Sequence, residues 1–104
     1  LQQVFLNLLL NSIQAMTSGG KLLVRTQKSN QNAVFIVEDN GTGISAENID
    51  RVFDPYFTTK NDGTGLGLAM TSKIIEEHEG QIEISSSPGE FTRVKISLPL
   101  AYLY

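Results

Sequence analysis

The sequence predicts an α+β domain in which a layer of helices covers one face of a mainly antiparallel sheet. Three observations carry that prediction. Two segments show helical periodicity, "LQQVFLNLLLNSIQAM" at 1–16 and "LGLAMTSKIIEEHEG" at 66–80. Four short runs are rich in β-branched and aromatic residues, and they come in two pairs, each pair following a helix. The links within each pair are short enough for hairpins, so antiparallel pairing with one covered face is the simplest architecture. With 104 residues and 40% hydrophobic content, the chain can build one core and is expected to be one domain, 1–104.

The first helix begins without a capping residue, so the chain reads as a piece of a longer one, truncated at its N-terminus. "SGGK" at 18–21 stops the helix and turns the chain. "KLLVRTQKS" and "AVFIVEDN", separated by the polar "NQN", form the first hairpin. Residues 41–65 read as a long functional loop around one short helical turn. In the second helix Leu66, Ala69, Met70, Ile74 and Ile75 share one side, and Gly80 is the stop. "QIEISSSP" and "FTRVKISLP" alternate as half-buried strands, with Ile82 and Ile84 on one face and Val94, Ile96 and Leu98 on another.

Composition removes several functions. A net charge of −3 and a pI near 5.0 leave no basic face for gripping nucleic acid. Cysteine is absent, which excludes disulfides and thiolate metal sites. No apolar run approaches the roughly 20 residues of a membrane span, so this segment is expected to lie outside a membrane.

Three features carry chemistry. At about 100° per residue, Gln3, Asn7, Asn11 and Gln14 fall within an arc of about 80° on an otherwise apolar helix. A solvated face is one reading, although Lys and Glu usually build such faces. The other is a ligand face, because a carboxamide oxygen suits a hard cation such as Mg²⁺ and its NH₂ suits phosphate. In "VEDNGTGIS" the carboxylate Asp39 ends an apolar strand, and Gly41 and Gly43 follow. This is either an ordinary turn or the mouth of a pocket whose acid accepts from an exocyclic amine. In "KNDGTGLGLAM" Gly63, Gly65 and Gly67 precede a helix, which is either a hinge or an anion site of bare N–H groups at a helix N-terminus. The spacing is neither the dinucleotide fingerprint nor a Walker A loop.

"NLLLNSIQAM", "DNGTGI", "FDPYFTTK" and "GTGLGLAM", in that order, resemble the N, G1, F and G2 boxes of the catalytic ATP-binding domain of sensor histidine kinases, within the superfamily of gyrase B, Hsp90 and MutL. The resemblance runs from residue 1 to about Pro99 and is strongest to kinases of the nitrogen-regulation and sporulation type. It implies a two-layer Bergerat-type sandwich with a mixed, mainly antiparallel sheet, binding ATP and Mg²⁺. Asn11 would ligate Mg²⁺, with Asn7 assisting at metal, water and phosphates. Asp39 would contact the adenine amine, supported by Gly41, Gly43, Ile44 and Thr92. Residues 45–64 would be the ATP lid, anchored by Phe53 and Phe57. Lys60 would reach the β- or γ-phosphate, and Arg51 is a candidate for transition-state charge. Gly63, Thr64, Gly65, Leu66, Gly67 and Leu68 would wrap the phosphates.

The resemblance further implies transfer of the γ-phosphoryl group to a histidine on a separate dimerisation domain of the same protein, in the cytoplasm. A response regulator receiver domain would be the next partner, and a membrane anchor elsewhere in a longer protein is compatible with this. Hydrolytic relatives place Glu one turn before the metal-binding Asn, whereas this chain has Asn7, and an amide is a poor general base. A hydrolytic ATPase and a nucleotide- or partner-binding module without transfer are the alternatives. His78, the sole histidine, reads as a helix C-terminal residue and not as the phosphoacceptor. Phe91 stands where relatives usually carry glycine, and Gln14 where many carry Lys or Arg, which leaves phosphate neutralisation to Lys60 and Mg²⁺.

Overall fold

The apolar positions of the first periodic segment do wind into a helix, α1 (Gln2–Ala15), which buries Val4, Leu8 and Ser12. The computed structural model describes residues 2–16, 19–54 and 67–100. After α1 come β1 (Leu22–Ser29) and β2 (Asn32–Asp39), joined through a two-residue turn at Asn30 and Gln31. Asn30 has φ +55°, a left-handed value that asparagine tolerates better than most residues. A single helical turn, α2 (Ala46–Ile49), interrupts the loop beyond β2. The chain then enters α3 (Gly67–Glu77), β3 (Gln81–Ser87) and β4 (Phe91–Pro99).

The sheet order is β1-β2-β4-β3. Among the described residues every strand pairing is antiparallel, so the expected mixed sheet is not found there. The reason lies in the connections: β1–β2 and β3–β4 are hairpins, and the α3 crossover returns the chain so that β4 lies antiparallel to β2.

One core cluster joins the layers: Val4 and Leu8 of α1, Val37 of β2, Ile75 of α3, and Val94, Ile96 and Leu98 of β4. Burying each such side chain contributes about 1.5–3 kcal/mol before conformational entropy is counted. Phe5 and Phe35 extend the cluster, their rings tilted by 58° with centroids 5.1 Å apart.

Three sequence expectations need correction. Ile82 pairs with Ile96 and Ile84 with Val94, so the apolar residues of both strands share one sheet face, because directly paired residues point the same way. Met70 is exposed, while Thr71 is fully buried and Leu68 packs on the core, since the helix turns a face about one position away from that expected. Glu79, not Gly80, takes the left-handed conformation that ends α3, with φ +57°. The Gly80 N–H then reaches Ile75 O at 2.9 Å and the Glu79 N–H reaches Glu76 O at 2.9 Å, the paired bonds of a Schellman cap.

Candidate functional site

The register of the sheet lays one row of residues across its helix-facing side: Leu22, Asp39, Thr92 and Ser86. Asp39 is 4% exposed at the end of β2, a central strand. Its Oδ1 accepts from the Gly41 N–H at 2.9 Å, which turns the chain and leaves the second carboxylate oxygen unused by that bond. A buried carboxylate with a spare oxygen is suited to accept from a ligand amine.

The loop that follows is fastened on two sides. On one side the Thr42 N–H donates to Ala15 O at 3.1 Å, satisfying a carbonyl at the open end of α1. Gly41 lies so close that a Cβ there would sit 2.4 Å from the same oxygen. On the other side the Gly89 N–H donates to Thr42 O at 2.7 Å, and the Ile44 N–H donates to Ser86 Oγ at 2.6 Å. Gly43 has φ +73°, and a Cβ on it would meet Ser87 O at 2.4 Å, so both conformation and space call for glycine. The loop is therefore wedged between the end of α1 and the β3–β4 hairpin.

Asn7, Asn11 and Ala15 follow one another at single-turn intervals along α1, which puts Asn11 one turn from the Ala15–Gly41 contact. Both asparagines are half-buried, so they are not part of a fully solvated face. Gln3 and Gln14 are exposed. Gly67 opens α3, whose first N–H groups lack intrahelical partners, and Leu68 packs its side chain against the core. Arg51 and Phe53 lie just after α2, Arg51 exposed and Phe53 half-buried. Phe57, Lys60, Gly63, Thr64, Gly65 and Leu66, and with them the second half of the lid, lie outside the described residues.

Phe91 does not disturb the row. Its neighbours alternate across the strand, so it shares the outer face with Arg93, whose guanidinium lies 5.3 Å from its ring centroid and 2.6 Å from Glu38 Oε1. Two cavities, of about 140 and about 360 Å³, lie on that outer face and beside the β1–β2 turn, away from Asp39. The His78 Nδ1–H donates to Ile74 O, 2.8 Å away, as a helix-end residue does. Among the described residues no three His, Cys, Asp or Glu side chains could jointly hold a metal ion. A cation beside α1 would thus depend on carboxamide, phosphate and water oxygens, a donor set that fits Mg²⁺.

Residues 1–102 match the family described as histidine kinase-, DNA gyrase B-, and HSP90-like ATPase. The chain belongs to this family. Membership makes it an ATP-binding domain and agrees with the α+β architecture. It is 44% identical over 101 residues to the signal transduction histidine-protein kinase AtoS of Escherichia coli (strain K12), covering 96% of this chain and 17% of AtoS. To sporulation kinase E of Bacillus subtilis (strain 168) it is 43% identical, over 96% of this chain and 14% of that kinase. Among solved structures, the catalytic domain of histidine kinase ThkA superposes with a TM-score of 0.82 at 34% identity, over 93% of this chain and 64% of that one. The chain thus spans less than a fifth of these two curated relatives. No helix among the described residues is long and apolar enough to cross a membrane.

Sequence reasoning missed one residue of this site. Ser86 ties the loop to the Thr92 hydroxyl, and a serine inside "ISSSP" carries no signal that would single it out.

Proposed function

We propose that this chain is the catalytic domain of a sensor histidine kinase, binding MgATP and donating its γ-phosphoryl group to a histidine on a separate dimerisation domain of the same protein. A response regulator receiver domain takes the phosphoryl group next, and both steps belong in the cytoplasm, where ATP is supplied. Asp39 carries the reading: a buried carboxylate with one oxygen fixed by Gly41 and the other left for a ligand amine.

The adenine amine donates to Asp39 while Gly41, Gly43 and Ile44 leave room for the flat ring. Since the Ile44 N–H is already given to Ser86, Ile44 contributes its apolar side chain. Asn11, assisted by Asn7, holds Mg²⁺, which when bound neutralises phosphate charge. The amide run through Gly63, Thr64, Gly65, Leu66, Gly67 and Leu68 would face the phosphates, Lys60 and Arg51 would supply positive charge, and residues 45–64 would be the lid, with Phe53 and Phe57 as its apolar anchors. The imidazole nitrogen attacks the γ-phosphorus as the bond to the β–γ bridging oxygen breaks, and ADP leaves. Asn7 cannot accept a proton from water, which favours transfer over hydrolysis.

Calorimetry with ATP, with and without Mg²⁺, tests the binding half. Asp39→Asn is expected to weaken ATP by about 10–100-fold, the range for losing a charged hydrogen bond; unchanged affinity sinks the adenine assignment. Mixing the chain with a histidine-bearing dimerisation segment and γ-labelled ATP tests the other half. Label on the segment supports transfer, whereas rapid release of free phosphate without any acceptor supports the hydrolytic alternative.

A further inference from the structure

Three groups converge on the Ser86 hydroxyl, and their chemistry fixes every proton among them. The Ile44 N–H, which can only donate, lies 2.6 Å from Ser86 Oγ. The Phe91 carbonyl, which can only accept, lies 2.7 Å from it. Thr92 Oγ1, which can do either, lies 3.1 Å away. A serine hydroxyl has one proton and two acceptor positions. Its proton goes to Phe91 O, one acceptor position takes the Ile44 N–H, and the remaining one must take the Thr92 proton. The Thr92 hydroxyl is thereby a donor to Ser86, and toward anything else it is an acceptor only.

Thr92 is the direct cross-strand partner of Asp39, so the two side chains leave the same sheet face as neighbours. We infer that Ser86 is a positioning residue for base selection: by taking the Thr92 proton it leaves two acceptors, Asp39 and Thr92, side by side, which favours a 6-aminopurine over a 6-oxopurine. The inference rests on the adenine site proposed above. The amino edge donates to such a pair, directly or through a water, whereas a 6-oxo group meets two oxygens and no donor. Without Ser86 the Thr92 hydroxyl is free to rotate and donate to the 6-oxo group. Ser86 also fastens Ile44, so the loop and the acceptor are set by the same atom.

The probes are ATP and inosine triphosphate, which differ in the 6-substituent and the N1 proton that accompanies it. The readout is the ratio of their dissociation constants for the 104-residue chain, measured by calorimetry with Mg²⁺. Ser86→Ala is expected to shrink the preference for ATP by about tenfold, chiefly by improving inosine triphosphate relative to ATP. Ser86→Thr keeps the hydroxyl and should restore most of the preference. In a Thr92→Val background, adding Ser86→Ala should change the ratio no further. Ser86→Cys, close in size and weak in hydrogen bonding, gives the same reading where the alanine variant does not fold. Equal loss of both nucleotides, with the ratio unmoved, overturns the inference and leaves the adenine site standing. A wild-type chain that binds neither nucleotide, or binds both equally well, overturns the inference together with the site it rests on.

Discussion

β1 and β4 have similar alternating, apolar-rich sequences, yet all eight residues of β1 are exposed while β4 buries Val94, Ile96 and Leu98. Leu22 and Val24 point to the same sheet side as the buried Val37 and Val94, and still they are 38% and 55% exposed. The difference is width. α1 lies on β2 and α3 on β3, with the core cluster filling in under β4, so the helix layer stops short of the β1 edge. An apolar alternation therefore specifies a strand; whether that strand is buried depends on what the helices can reach. The row through Asp39 follows the same division, since Asp39, Thr92 and Ser86 stand on strands with packed residues behind them. Only Leu22 represents β1 in that row.

The largest effect expected from this asymmetry is in the core. Ile96→Ala removes a fully buried side chain at the centre of the cluster and should cost about 2–5 kcal/mol in denaturant unfolding. Val24→Ala, at the opposite flank, should cost less than about 1 kcal/mol, most of it lost β propensity. If the two variants unfold at the same denaturant concentration, the β1 flank is covered in solution and the contrast drawn here is wrong.

Next in size is the wedged loop on the covered flank. Gly43→Ala must adopt φ +73° and also push its Cβ into Ser87 O, so a loss of about 2–4 kcal/mol is expected. Gly89 offers the control, because it has nearly the same φ, +76°, but nothing within 4 Å of an added Cβ. Gly89→Ala should cost only about 1–2 kcal/mol, the conformational part alone. Thermal unfolding of the pair separates backbone strain from close packing, and equal shifts would mean that the loop gives way.

Much of this was legible in the sequence because local rules and the tertiary outcome agree. Helical period placed α1 and α3, β-branched and aromatic runs placed β1 and β2, and alternation placed β3 and β4. Asp39 with Gly41 and Gly43 announced a strand end followed by a tight loop, which is where the structure bends. What was not legible depends on partners distant in sequence. The exposure of β1 is set by the reach of α1, the shared face of Ile82 and Val94 by a register that alternation within each strand does not reveal, and the role of Ser86 by Ile44, 42 residues away. The Thr92 hydroxyl could be suspected of either hydrogen-bonding role until its neighbours were in place.

The smallest expected effect concerns the bend by which α3 hands the chain to β3. Glu79 holds the left-handed position of the Schellman cap, a place where glycine is preferred because a side chain crowds the following carbonyl. Glycine there loses more freedom on folding than glutamate does, and that offsets part of the gain. The cap bonds from Gly80 and Glu79 use backbone atoms alone, so Glu79→Gly preserves them. Relief of strain exceeds the entropy term at left-handed caps, and the variant should be more stable by about 0.5–1 kcal/mol, read as a higher denaturant midpoint with an unchanged slope. The same substitution at Glu77, the last helical residue, should instead destabilise, by up to about 0.5–1 kcal/mol. Opposite signs two residues apart would establish that the helix ends at the conformation of Glu79, and equal signs would return the stop to Gly80.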